Sequence, residues 1–170
     1  GCFVIPNPWD VGSARYLQRA GFKALASTSS GAAWSMGYPD GGVPLDVMLE
    51  HLRTLAEASD VPLNADFLSG FAVAPEGVAA NVRLCIATGV AGLSIEDATG
   101  DAAAPLFDFD LAVERVRAAR AAVDSAAVDS TGGDVLLVAR SEVFFTSHAD
   151  PLKAAIRRLV AFAEAGADCL

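Results

Sequence analysis

The chain has 170 residues, of which 53% are hydrophobic and 19% charged, so the composition excludes a disordered chain and predicts one folded domain with a substantial core. The formal net charge of −9 argues against nucleic-acid binding, because a phosphate backbone is bound by clustered basic residues. No apolar run reaches the ~18 residues of a membrane span, so we expect no membrane partner. The three cysteines are widely separated, lie in apolar stretches and form no C-x-x-C pair, which indicates a reducing compartment, and we expect a cytoplasmic protein.

Apolar segments alternate with helical patterns along the chain. Buried strands are predicted at residues 2–6, 24–26, 62–65, 93–95 and 135–139. Helical spacing is seen in two sets between these strands, Leu45, Met48, Leu49, Leu52 and Leu55 first, then Val78, Val82, Cys85 and Ile86. Asp150-Pro151 predicts a last helix, with an aspartate cap followed by proline in the first turn.

Three short segments, "RAGFKAL", "ATGVAGL" and "EAGADCL", place a glycine between a helix and the next apolar strand. This order predicts parallel strands with helical crossovers. Two architectures fit, a doubly wound open sheet and a (β/α)8 TIM-type barrel. No glycine-rich nucleotide-binding fingerprint follows a strand, and a whole barrel needs at least ~200 residues. We therefore expect residues 1–170 to be a single, incomplete barrel domain covering about five and a half βα units, with residues 122–134 as a polar insertion before the fifth strand.

Polar side chains gather where the predicted strands end, while the helix-to-strand junctions carry glycine and alanine. In strand order the polar residues are Asn7 and Asp10; Ser27, Thr28, Ser29, Ser30 and Asp40; Asn64 and Asp66; Glu96 and Asp97; and Arg140, Ser141 and Glu142. The carboxyl ends of barrel strands form the active-site face, so this asymmetry predicts a reaction site on that rim.

The residue types suggest what the rim binds. Asp66 and Glu96 are oxygen ligands suited to Mg²⁺, with Mn²⁺ as a substitute, and Arg140 suits a carboxylate or phosphonate. The serine-rich turn 27–30 can bind an anion. Simpler interpretations exist for each: an aspartate that caps a helix, a flexible "STSSG" loop, and an ion pair between Arg140 and Glu96. Neither histidine belongs to a nucleophilic triad pattern.

Four short motifs stand out, "GYPD", "NAD…SGF", "IED" and "AR". They lie within the longer segments "IPNPWDVGSARYLQRAGFKALASTSSGAAWSMGYPDG", "VPLNADFLSGF", "GVAGLSIEDATGD" and "LLVARSE". These segments resemble the phosphoenolpyruvate mutase/isocitrate lyase superfamily, specifically its phosphonomutase-like branch. The resemblance implies a (β/α)8 barrel, Mg²⁺, and cleavage or rearrangement of a small 2-oxo or 2-hydroxy acid through a pyruvate enolate. It also implies a homo-oligomer, a tetramer when full length. By position it implies site roles: Ser27, Thr28, Ser29 and Asn64 for substrate, Asp66 and Glu96 for metal, Asp40 and Arg140 for catalysis.

Four departures from the family pattern limit these expectations. Asn64 replaces an aspartate found in many members, Leu68 a frequent glutamate, and Leu25 an aromatic residue. The segment after Asp97, "ATGDAAAPLFDFD", lacks the lid cysteine of isocitrate lyases, so we do not expect an isocitrate lyase. The expected activity is a Mg²⁺-dependent C–C lyase or phosphonomutase; the alternative is a degenerate barrel that binds an organic acid without turnover.

Overall fold

The computed structural model describes residues 3–128 and 134–170. Its strands are β1 Leu25–Ala26, β2 Leu63–Asp66, β3 Gly92–Glu96 and β4 Leu136–Arg140. Its helices are α1 Val11–Arg19, α2 Ser29–Ser35, α3 Leu45–Glu57, α4 Pro75–Ile86, α5 Phe109–Val128 and α6 Pro151–Glu164, with a short 3-10 turn at Val143–Phe145.

The four strands form one parallel sheet in the order β1-β2-β3-β4. Leu25 pairs with Leu63, Asp66 with Ser94, and Glu96 with Arg140. Each strand therefore ends beside its neighbour, and the side chains at the carboxyl ends share one edge. The predicted α/β fold with a parallel sheet is confirmed, and the bounds of these four strands differ from prediction by at most one residue.

The first predicted strand, at residues 2–6, is wrong over the part that the structure describes. Residue 2 lies outside the described residues, and residues 3–6 form no strand, with Phe3 61% exposed. One ladder-like bond remains, from the Ala26 N–H to the Pro6 carbonyl oxygen at 3.0 Å. Pro6 has no backbone N–H that could donate a second hydrogen bond to β1, and β1 has only two residues. A regular ladder of hydrogen bonds therefore does not form.

At the other edge of the sheet, Cys169 forms a single parallel bridge with Val138 in β4. The chain therefore re-enters the sheet where a next strand was expected. Cys169 is exposed, whereas Cys85 is buried in α4, and burial raises the pKa of the Cys85 thiol to about 12.

Helix α5 continues further than the sequence pattern predicts. Residues 122–128 of the expected polar connection belong to the helix, and residues 129–133 lie outside the described residues. Ala122, Val123 and Ala126 are buried against the core at helical spacing, so hydrophobic burial extends the helix through a region whose sequence looks polar.

The predicted caps and junctions are present. The Lys153 N–H donates to the Asp150 Oδ1 at 3.2 Å, with Pro151 in the first turn of α6. The three junction glycines have positive φ, at 94° for Gly21, 91° for Gly89 and 104° for Gly166, a conformation that glycine adopts without steric cost.

One residue of the predicted rim is a helix cap. The Ser13 N–H donates to the Asp10 Oδ1 at 2.6 Å, so Asp10 begins α1. Asn7 donates from Nδ2 to the Ala26 carbonyl oxygen at 3.0 Å and fixes the approach to β1.

The core lies between the sheet and its helices, which bury Met48, Leu52 and Leu55 from α3 and Val78 and Val82 from α4. In the part of the chain that the structure describes, no helix combines the length and the hydrophobicity that crossing a membrane requires.

Candidate active site at the carboxyl ends of the strands

Arg140, the last residue of β4, lies among three carboxylates. Its Nη1 is 3.2 Å from Asp66 Oδ1, and its Nη2 is 2.7 Å from Glu142 Oε1 and 3.6 Å from Glu96 Oε2. Asp66 and Glu96 are the last residues of β2 and β3, so the parallel register brings all three strand ends to one point. The structure thus brings together Asp66, Glu96 and Arg140, three residues that the sequence placed on the rim.

One guanidinium does not neutralise three largely buried carboxylates. Burial raises the pKa of Glu96 to about 7, Arg140 partly opposes this, and Glu142, Asp66 and Asp97 add to it. Burial by itself would lower the pKa of Arg140, but its carboxylate neighbours outweigh burial and raise it. The site therefore has an excess of negative charge that favours binding of a proton or a cation.

The predicted serine-rich turn holds Asp66 in place. Ser29 donates to Asp66 Oδ2 from its backbone N–H at 2.9 Å and from its Oγ at 2.7 Å. The Asp66 N–H donates to Ser27 Oγ at 2.8 Å. Both serines are buried, so the hydroxyls expected to face a substrate bind Asp66 in this structure.

This segment is not a flexible loop. Thr28 caps α2, because its Oγ1 accepts from the Gly31 N–H at 3.2 Å, and Ser29 is the first helical residue. The threonine cap and the serine bonds to Asp66 together fix the start of α2 against the end of β2.

A cavity of about 340 Å³ opens beside Glu96, within the size range of small-molecule sites. Asp40, Leu68, Ser69, Phe71 and Thr99 also contribute to its lining. Asp40 and Glu96 therefore face a common space, while Asp66 is linked to Glu96 through Arg140.

Asn64 is placed differently from the other predicted site residues. Its Nδ2 donates to the Ala65 carbonyl oxygen at 3.4 Å. Its Oδ1 packs on Gly92 in the next strand, 2.8 Å from where a Cβ would stand. The amide is thus held across the sheet by its neighbours.

Sequence reasoning did not assign site roles to Glu142, Asp97 and Arg158. The Glu142 N–H donates to Asp97 Oδ1 at 2.7 Å, and Arg158 Nη1 in α6 is 3.2 Å from Asp97 Oδ2. Asp97 is only 2% exposed, and its bond to the Glu142 N–H holds the backbone of the residue whose carboxylate lies nearest Arg140. The position of Glu142 two residues after Arg140 was a usable signal; nothing in the sequence links Arg158 to the rim.

Among the described residues, no group of three or more His, Cys, Asp or Glu side chains is arranged to hold a metal ion alone. Mg²⁺ nevertheless fits the donor set, because it keeps several waters and is often bound by only one or two carboxylates. Asp66 and Glu96 provide such oxygens, and the unbalanced charge around Arg140 suits a dication.

A parallel α/β fold with its acidic and basic side chains at the carboxyl ends of the strands is the arrangement of barrel-type enzymes. Residues 1–170 match the family model described as phosphoenolpyruvate phosphomutase, and the chain belongs to this family.

The known proteins that this chain resembles include lyases, mutases and hydrolases. The 2-methylisocitrate lyase of Escherichia coli (strain K12) is 36% identical over 162 residues, which cover 92% of this chain and 52% of that protein. A Burkholderia cenocepacia J2315 protein, provisionally assigned as a lyase or mutase, superposes with a TM-score of 0.90 at 45% identity, over 99% of this chain and 58% of that one.

Phosphonopyruvate hydrolase, solved in complex with oxalate and Mg²⁺, superposes with a TM-score of 0.86 at 26% identity, over 98% of this chain and 56% of that one. The chain spans about half the length of the curated relatives that it matches.

Proposed function

We propose that this chain carries the metal- and substrate-binding rim of a Mg²⁺-dependent lyase or phosphonomutase that acts on a small 2-oxo or 2-hydroxy carboxylic acid. The observation that carries this proposal is the cluster of Asp66, Glu96 and Glu142 around Arg140, beside a cavity sized for such an acid. Membership of a family whose relatives include lyases and mutases supports the reaction class.

Asp66 and Glu96 are the residues that would hold Mg²⁺. When bound, the ion supplies a Lewis acid that polarises the substrate oxygen beside the carboxylate and favours an enolate. The complex of phosphonopyruvate hydrolase with oxalate and Mg²⁺ supports this pairing of ligand and metal, because oxalate resembles the planar enolate of pyruvate.

Arg140 would bind the acid group of the substrate and stabilise negative charge as the bond breaks. Its side chain is 40% exposed, so a ligand can reach it, and the planar guanidinium fork matches a carboxylate or a phosphonate. Ser27 and Ser29 keep Asp66 oriented towards Arg140. Asp40, which lines the cavity with Glu96, is the residue to which we assign proton exchange with the substrate.

A second function, binding of an organic acid without turnover, is favoured by one feature of the site. Arg140 already pairs with Asp66 and Glu142, and the serine hydroxyls are bound to Asp66. An acid could be held at such a site without the free groups that chemistry requires.

The test is a substrate screen of the full-length gene product with Mg²⁺. Oxaloacetate, dialkylmalates, methylisocitrate and phosphonopyruvate would be supplied, with pyruvate release and phosphorus NMR as readouts. We expect turnover of at least one substrate and a loss of roughly 100-fold or more in Arg140→Ala, since preorganised donors are a large catalytic term. Arg83→Ala, an exposed arginine of α4, is the control. Tight binding of one acid with no turnover of any would favour the second function.

A further inference from the structure

The segment between β2 and α4, residues 67–74, forms one wall of the cavity, and we refer to it as the cavity loop. Leu68 and Phe71 have positive φ angles of 50° and 56°, a left-handed conformation that residues with side chains rarely adopt. Leu68, Ser69 and Phe71 all line the cavity. The shape of the cavity therefore depends on a backbone conformation that local sequence does not favour.

Arg115 in α5 binds this loop from inside the molecule. Its side chain is 1% exposed, and Nη1 donates to the carbonyl oxygens of Ala72 and Val73, both at 2.5 Å. Nη2 donates to the carbonyl oxygen of Ser69. Three loop carbonyls thus converge on one guanidinium, whose planar fork can bind several acceptors at once.

The surroundings of Arg115 show that the loop is its main partner. Across residues 3–128 and 134–170, no carboxylate lies within ion-pair distance of this guanidinium. The cation lies 3.9 Å from the ring centroid of Phe107, which offers a favourable but weaker interaction. A buried charge is costly unless it is compensated, so losing the loop carbonyls would leave Arg115 unsatisfied.

From these contacts we propose that Arg115 is a positioning residue, which holds the cavity loop in its left-handed conformation and so sets the shape of the cavity that receives the substrate acid. The effect of Arg115 on binding of the acid rests on the proposed function, whereas its effect on the conformation of the cavity loop does not. Asn81 in α4 provides a secondary contact, donating from Nδ2 to the Gly70 carbonyl oxygen at 2.9 Å.

The first test is hydrogen exchange of the full-length protein, followed in peptides that cover the cavity loop. Arg115→Met should raise loop exchange roughly 10-fold or more while α3 exchange stays unchanged, because the loop opens locally. Arg115→Lys should give a smaller increase, since an ammonium does not reproduce the fork. Arg117→Met, which removes an exposed arginine of the same helix paired with Glu114, is the control.

Equal loop exchange in the wild type and Arg115→Lys would overturn the proposal, and this variant decides the matter if Arg115→Met does not fold. The second test is calorimetric titration with oxalate in the presence of Mg²⁺, in which Arg115→Lys should bind roughly 10-fold more weakly than the wild type. Reduced stability with unchanged loop exchange and oxalate affinity would assign Arg115 to core packing alone and overturn the proposal. If the wild type does not bind oxalate, the proposed function fails, while the exchange result still decides the role of Arg115.

Discussion

At the scale of single residues, the charge balance around Arg140 governs the protonation of the carboxylates on the rim. Three carboxylates from the ends of β2, β3 and the segment after β4 share one guanidinium. The most affected group is Glu96, whose pKa is raised by burial to about 7 from an ordinary value of 4.5. Glu96 is therefore partly protonated at neutral pH, and binding of a dication there would release its proton.

This raised pKa predicts how stability depends on pH. The folded protein binds the Glu96 proton more tightly than the unfolded chain, so the stabilisation is present below pH 4.5 and is lost as the pH rises through 7. The loss is roughly 3 kcal/mol at most for a shift of this size. Glu96→Gln should lack this loss and should gain stability relative to the wild type between pH 5 and pH 7.5, when measured by urea unfolding. Parallel pH profiles for the two proteins would contradict the prediction.

At the scale of secondary-structure elements, the buried pair of Asp97 and Arg158 joins the end of β3 to α6. Arg158→Met would remove the counter-ion of the buried Asp97 carboxylate but leave its Glu142 N–H and Ser141 Oγ donors, so we expect a loss of roughly 3 kcal/mol. Arg157→Met removes a neighbouring exposed arginine that stacks on Phe109, and it should cost less than about 1 kcal/mol. Denaturant unfolding of both variants measures the difference, and equal losses would show that the pair does not join these elements.

The helix-to-strand junctions provide a second comparison at this scale. Gly21→Ala should cost about 1–2 kcal/mol, because a side chain disfavours the positive φ and no atom lies within 4 Å of the added Cβ. Gly166→Ala should cost more, because its Cβ would stand 2.6 Å from Arg120 Cγ. The difference between their unfolding free energies measures this clash, and a smaller loss for Gly166→Ala would contradict the packing described here.

The amino-acid sequence predicts the strands well where the information lies in neighbouring residues. Apolar runs and junction glycines indicate β1 to β4 to within one residue, because burial and backbone conformation are encoded near each strand. Residues 3–6 were predicted wrongly, since pairing depends on a partner strand that offers only two residues. The binding of the cavity loop by Arg115 joins residues more than forty positions apart, and no local pattern reports such a contact.

At the scale of the whole molecule, the parallel order of the sheet explains why the sequence predicts that the strand-end residues lie close together. Once the strands are parallel and adjacent, the residues that end them must meet at one edge, and Asp66, Glu96 and Arg140 do so. The individual contacts were less predictable. Ser27 and Ser29 bind Asp66, because the short connection from β1 to the start of α2 at Ser29 passes beside the end of β2. Homo-oligomerisation stays a prediction, for sedimentation of the full-length protein to check.

Calorimetric titration of Mg²⁺ into the full-length gene product tests whether Asp66 belongs to a Mg²⁺ site on this rim. Asp66→Ala should weaken Mg²⁺ binding by roughly 10-fold or more, a loss typical of groups that bind or support a metal. Asp46→Ala, which removes an exposed carboxylate of α3, should leave the affinity unchanged. Equal Mg²⁺ affinity in the wild type and Asp66→Ala would show that Asp66 does not belong to a Mg²⁺ site.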